Sequence, residues 1–354
     1  MSPLRPLLPL ALIATPALAE PPSVMTDIPP VHALASSVMG DLAAPGILLD
    51  QGSDPHHFQL RPSQARALSD ADLVFWVGPR MTPWLGRAIE GVGLQGEAIA
   101  LIDLPETHRQ NFGEAAAHDH DHDDHDAEEH AHEDVGHDDH TDEHAHEETG
   151  HDDHADEHAH EEAGHDDHAE HAEDDHGHSH SGLDPHAWLD PANARAWTRA
   201  IAARLSAADP ENAAIYAANA DATLAAIDAA EAEVREILAP VGDAPVMVFH
   251  DAYGYYAAHF GVNVAGSIAL GDAANPGAAR LSALRDHLRE DDIACIFPEA
   301  QHDPAYVAAI VEGTGTRVGA ALDPSGSTLE YGPALYGTLL TGLARDIAEC
   351  VGQE

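Results

Sequence analysis

Five side chains able to hold a metal ion follow apolar runs of strand length or sit in a turn that opens a helix. His56 comes after residues 47–50 through a short Gly-Ser-Asp-Pro turn, and His250 follows residues 246–249 directly. Glu299 follows the run 295–297, and Asp323 follows 318–322. His186 lies in the loop LDPHAWLDP, just before a helix. In open α/β sheets ligands bind beyond the carboxyl ends of the strands, so three imidazoles and two carboxylates are expected to converge on one cleft. A single histidine after a strand is more often a hydrogen-bonded turn residue than a ligand, but structural histidines would scatter rather than recur at successive strand ends. His302, close to Glu299, is an alternative ligand. His57 should point away from His56 along an extended segment, and His32, His108, His259 and His287 read as helix or loop positions.

The elements that must carry these residues follow from periodicity and punctuation. Residues 28–39 read as a strand end and a helix, 46–50 as a strand, 63–70 as a helix capped by Ser63, and 73–77 and 98–101 as strands. Strands that are apolar throughout and separated by helical segments belong to a parallel sheet covered on both faces. Asp190-Pro191 gives a helix a side-chain acceptor at its cap and Pro in its first turn. The same signal recurs at Asp209-Pro210, after which no Gly or Pro intervenes as far as Ala239. One helix of about 30 residues, roughly 45 Å long, is expected there as a rigid strut. Beyond it the alternation resumes: strands at 246–249, 262–269, 293–297 and 318–322, and helices at 253–260, 276–289, 306–312 and 333–350. The expected fold is α/β, with two lobes, each a mainly parallel sheet flanked by helices, joined by one long rigid helix. Residues 20–208 form the first lobe, 209–239 the linking helix and 240–354 the second lobe.

The first lobe is interrupted by a segment of about 115–181. Between His118 and His180 there are 20 His and 27 Asp or Glu in 63 residues, and no Lys or Arg lies between Arg109 and Arg195. With almost no apolar side chain larger than Ala to bury, and with strong self-repulsion, this segment is expected to be disordered when unliganded. It repeats with a period of 14, GHDDHTDEHAHEET then GHDDHADEHAHEEA, too short for a solenoid unit. Imidazoles and carboxylates in a flexible run can wrap several zinc-like ions weakly. The formal charge of −48 falls to −21 without this segment. Such a surface disfavours nucleic acid and anionic membranes and mildly attracts cations.

The first residues, MSPLRPLLPLALIATPALAE, have a basic start at Arg5, an apolar stretch and the small-x-small site Ala17-Leu18-Ala19. They read as a secretory signal peptide cleaved after Ala19, too short and too rich in Pro to anchor in a membrane. An exported chain with two cysteines favours a Cys295–Cys350 disulfide, which would pin the C-terminal helix to its sheet.

The motifs DPHHFQLRPS with ADLVFWVGP, LDPHAWLDP, VFHDAYGYYAAHFG, ACIFPEAQ and ALDPSG resemble the zinc-binding proteins of bacterial zinc ABC importers, the ZnuA type of the cluster A-I solute-binding family. The likeness covers essentially all of the chain after the signal. It implies metal held between two lobes, with His56, His186 and His250 as ligands and a carboxylate or water as the fourth. Manganese-type relatives place a carboxylate at the third position; His250 there makes a set of three imidazoles that suits zinc. Asp323 matches the position of a carboxylate ligand in other members. Some zinc-type members instead carry Glu just before the first His, where this chain has Pro55, so Asp323, Glu299 and water all stand as the fourth ligand. The resemblance further implies a periplasmic monomer that takes one tight Zn2+, with weaker ions in the His-rich segment. Its expected partner is an ABC permease of the inner membrane, with a periplasmic zinc chaperone as a further candidate.

The long helix implies slight tilting of the lobes rather than clamping. Affinity should fall below about pH 6 as imidazoles protonate. Two other functions compete with this one. Three His and an open position also suit a zinc hydrolase, but no HExxH occurs, and HEETGH and HEEAGH set the second His one residue too far. The other is zinc sequestration through the His-rich segment alone.

Overall fold

The computed structural model describes residues 20–113, 182–269 and 278–353. The expected signal peptide, the His-rich segment and the start of the helix expected from 276 lie outside the described residues.

Strands β1 (Val24–Thr26), β2 (Gly46–Ile47), β3 (Leu73–Trp76) and β4 (Glu97–Ala100) form a parallel sheet in the order β2-β1-β3-β4. Strands β5 (Val246–Val248), β6 (Val264–Ser267), β7 (Cys295–Ile296) and β8 (Arg317–Val318) form a second parallel sheet in the order β6-β5-β7-β8. In each sheet the first strand is central, and the chain leaves it first to one side and then to the other. The carboxyl ends of β1/β3 and of β5/β7 are therefore topological switch points.

Helices α1 (Pro29–Met39), α2 (Pro62–Ser69), α3 (Pro83–Val92) and α4 (Pro191–Ala208) belong to the first lobe. Each begins on Pro, whose fixed φ and missing N–H cost nothing in a first turn. Asp190 caps α4 by accepting from Ala192 N at 2.8 Å. Ser63 does not cap α2. Pro62 takes the first helical position, so the cap falls on Arg61, whose N–H donates to Gln64 Oε1 at 2.8 Å.

A 3-10 turn over Pro210–Asn212 runs into the linking helix α5 (Ala213–Leu238), 26 residues and about 39 Å long. Its buried face, Tyr216, Ala220, Thr223, Ile227, Ala230, Val234 and Leu238, recurs every three or four residues. That face packs on α1 and α4 on one side and on α9 (Leu335–Gly352) on the other. The strut read from the sequence is thus a packed central helix. The remaining helices are α6 (Gly254–Phe260), α7 (Ala278–Glu290) and α8 (Ala305–Val311).

Alternation along the strands sorts the core into layers. Leu73 and Phe75 of β3, Val246 and Val248 of β5, and Cys295 of β7 enter one continuous core that runs through α5 and both sheets. Val74 and Trp76 face α2 and α3, while Met247 and Ile296 face α7 and α8. Cys295 and Cys350 form a disulfide that ties β7 to α9. Among the described residues no helix is long and apolar enough to cross a membrane.

Candidate metal centre

His56, His186 and His250 are buried and bring one nitrogen each to within 4.8 Å of one another. His186 and His250 face each other through Nε2 at 3.4 Å, and the His56 ring centroid lies 5.5 and 6.2 Å from theirs.

Each histidine is placed by its own local device. His56 sits in the turn after β2, where Asp54 Oδ1 accepts from His56 N at 2.8 Å and Pro55 O accepts from Trp84 Nε1 at 2.7 Å. The neighbouring His57 is exposed, with Nδ1 3.2 Å from Asp54 Oδ2. His186 repeats the turn: Asp184 Oδ1 lies 2.9 Å from His186 N and 2.8 Å from its Nδ1. A carboxylate only accepts, so Nδ1 carries the hydrogen and Nε2 keeps its lone pair for the cleft. His250 follows β5 at the switch point, and its Nδ1 meets Glu299 Oε2 at 2.5 Å across from the end of β7. The same reasoning leaves the His250 Nε2 lone pair facing that of His186.

Two lone pairs at this separation repel unless an acceptor of electrons lies between them. Tetrahedral zinc with Zn–N bonds of 2.0–2.1 Å sets neighbouring nitrogens about 3.3–3.4 Å apart. The spacing of His186 and His250 therefore suits a tetrahedral cation.

The two carboxylates read from the sequence fall differently. Glu299 is buried against His250, and a second group of metal-capable atoms joins His250, Glu299 and His302. Asp323 is in neither group. Its Oδ1 accepts from Gln301 Nε2 at 2.9 Å, Ser325 Oγ at 3.0 Å and Ser327 N at 3.2 Å, and its Oδ2 accepts from Thr328 N at 2.8 Å. In this structure it organises the turn 323–328.

Supporting residues absent from the sequence reading surround His186. Tyr255 of α6 donates its hydroxyl to Asp184 O at 3.1 Å, and Gln110 Nε2 lies 3.3 Å from Asp184 Oδ2. A Cβ on Gly254 would lie 2.6 Å from that Gln110 nitrogen and 3.0 Å from Asp184 Oδ2, so a larger residue there would push the Gln110 amide away from Asp184. Two groups of the second lobe clasp the His186 loop: Pro324 O accepts from Trp188 Nε1, and Tyr336 donates its hydroxyl to Trp188 O, both at 2.8 Å. Burial first, then the negative charge of Glu299 and Asp323, holds the Tyr253 phenol well above its ordinary range, so it stays neutral near His250.

His259, read as a helix position, sits on α6 with Nδ1 2.9 Å from Asp190 Oδ1 and Nε2 2.9 Å from Glu231 Oε1. The Asp190 hydrogen bond leads in raising its pKa, against burial and with Glu231 adding. Burial works against the Glu231 carboxylate, but hydrogen bonds from Arg195, His259 and Arg235 outweigh it and bring its pKa down to about 2. This ionic node joins α4, α5 and α6.

Two parallel-sheet lobes, a long helix between them and a cleft at their strand ends define a solute-binding protein of the two-lobed class. Residues 24–350 match the family model described as "Zinc-uptake complex component A periplasmic", ZnuA, and the chain belongs to that family. It is 50% identical over 345 residues to the "High-affinity zinc uptake system protein ZnuA" of Paracoccus denitrificans (strain Pd 1222), covering 98% of this chain and 96% of that one. It is 39% identical over 338 residues to the protein of that name from Brucella suis biovar 1, covering 94% and 93%. Among solved structures, a crystal structure of ZnuA superposes with a TM-score of 0.65 at 21% identity over 93% of this chain and 98% of that one. The periplasmic zinc binding protein TroA from Treponema pallidum gives 0.67 at 16% over 94% and 99%. These likenesses establish the expected fold. The family consists of periplasmic solute-binding proteins of zinc uptake and not of enzymes, which removes the hydrolase reading.

Proposed function

We propose that this chain captures Zn2+ in the periplasm on His56, His186 and His250 and delivers it to an ABC permease of the inner membrane. The observation that carries the reading is the 3.4 Å approach of two Nε2 atoms whose rings are each oriented by a carboxylate at Nδ1. Three neutral imidazoles supply a borderline-soft set without redox demands, which suits zinc over magnesium, calcium or manganese. A water or Glu299 supplies the fourth ligand while Asp323 serves its turn; Asp323 joins only if that turn opens. The lobes comprise residues 20–208 and 240–354, joined through 209–239, with the signal peptide removed after Ala19. The segment of about 115–181 adds weak zinc sites and serves as an accessory.

Zinc competition titration of a variant lacking residues 115–179 tests this reading. The two roots of the segment are paired, with Phe112 N donating to Gly182 O and Asp184 N to Gln110 O, both at 3.0 Å. The deletion therefore closes as a short hairpin. One tight zinc site is expected to remain, and His250→Ala should weaken it at least about 100-fold. Loss of all binding on deletion alone would instead show that the chain sequesters zinc through the segment.

A further inference from the structure

We propose that Glu299 and His302, with Nδ1 of His250, form an outer foothold at the rim of the cleft that takes a zinc-class divalent cation before the three imidazoles do. This rests on the metal-capture reading above and adds a second station to it.

The three residues bring ligand atoms within 4.8 Å of one another, and His302 Nε2 lies 3.7 Å from Glu299 Oε1. Exposure falls steadily inward: the side chains of His302, His250 and His186 are 26%, 7% and 1% exposed. A cation arriving from solvent therefore meets His302 first. Its ring is fixed in place, stacked on Phe249 with centroids 4.2 Å apart and planes 19° apart, next to the residue that carries the shared imidazole. Two imidazoles and one buried carboxylate make a harder, more open set than three imidazoles, fit for a transient stop.

His250 belongs to both groups but turns a different nitrogen to each: Nδ1 to Glu299 and Nε2 to His186. A neutral imidazole has one lone pair, so it serves one group at a time, and the two stations exclude each other. With a cation outside, the hydrogen is on Nε2 and Glu299 binds the cation. As the cation moves inward, solvent takes that hydrogen from Nε2 and supplies one to Nδ1, which then donates a hydrogen bond to Glu299. No proton is gained or lost by the pair, and the carboxylate exchanges its role as ligand for that of orienting the ring.

The test mixes full-length protein with chelator-buffered zinc in stopped flow. Tryptophan emission is the readout, since the Trp188 ring lies 5.3 Å from that of His186. The wild-type loading rate should saturate as free zinc rises, the sign of a prior equilibrium. His302→Phe keeps the stack on Phe249 but has no nitrogen. It should load at least about five-fold more slowly at low zinc, without saturation, while equilibrium affinity stays within about two-fold. His302→Ala should behave alike, which separates lost ligation from lost stacking. Unchanged loading in both variants would overturn the foothold. So would an equilibrium loss as large as that of His250→Ala, which would place His302 in the tight site itself. If tight binding survives His250→Ala, the underlying reading fails. If it does not, and the His302 variants load like wild type, only the foothold does.

Discussion

At the scale of single residues, one device recurs. In Asp54-Pro55-His56 and Asp184-Pro185-His186 the Asp side chain accepts from the N–H two residues on, fixing the histidine that follows the proline. Asp190 and Asp303 do the same before Ala192 and Ala305, but there the turn starts a helix. Asp184 has a second task, since its Oδ1 also holds His186 Nδ1. Asp184→Asn is therefore expected to weaken zinc binding about 10–100-fold, the usual cost of losing an orienting carboxylate. A competition titration reads this, and an unchanged far-UV spectrum confirms that the fold persists. The repeated Asp-Pro-His was visible in the sequence and would have pointed to Asp184. The three imidazoles were legible because they follow apolar runs or Asp-Pro turns. The partnership of His250 with Glu299 was not, because it is made 49 residues apart across two strand ends. Gly254 and Tyr255 were equally hidden, since what they do depends on how closely α6 approaches the His186 loop.

At the scale of elements, the alternation of strands and helices was readable because parallel strands buried on both faces are apolar throughout, as LVFW of β3 is. The packed face of α5 was less so, since an Ala-rich helix carries little contrast between its faces, and α3, a short helix that holds two Gly, was not read at all. One position shows what pattern reading misses. The first sheet has its own switch point beyond β1 and β3, and the buried carboxylate of Asp27 fills it. Asp27 Oδ2 accepts from Val77 N at 2.9 Å and from Thr82 Oγ1 at 3.2 Å, and its Oδ1 accepts from Ile28 N at 2.8 Å. Burial outweighs these bonds and raises its pKa from 3.8 to about 7. A carboxyl whose folded pKa is raised binds its proton more tightly in the native state, so its stabilisation is full below about pH 4 and fades as pH rises towards 7. Asp27→Asn removes that titration. Urea melts of wild type and variant at several pH values should differ by an amount that changes between about pH 4 and 7 and is flat outside that window. A constant offset throughout would mean that Asp27 stays ionised when folded.

For the whole molecule, what matters is how the second lobe holds the loop of the first that carries His186. The His186 loop is clasped by Pro324 O and by Tyr336 of α9, and α9 is fastened to β7 by the Cys295–Cys350 disulfide. A cross-link with a sequence separation of 55 contributes about 4 kcal/mol in the chain-entropy model, acting on the unfolded chain. Zinc acts differently, stabilising by mass action only the state that binds it, by about 4 kcal/mol at a thousand times its dissociation constant. Tyr336 also lies in the continuous core that α5 and α9 share, so α9 keeps its place near the loop without the disulfide. Thermal melts of wild type and of Cys295→Ser/Cys350→Ser, each with and without zinc, should therefore give two increments that add within about 0.5 kcal/mol. Any zinc taken up by the His-rich segment is common to both proteins and cancels in the difference. A zinc increment that shrinks markedly in the double variant would mean instead that the disulfide helps assemble the metal centre, through α9, Tyr336 and the loop that carries His186.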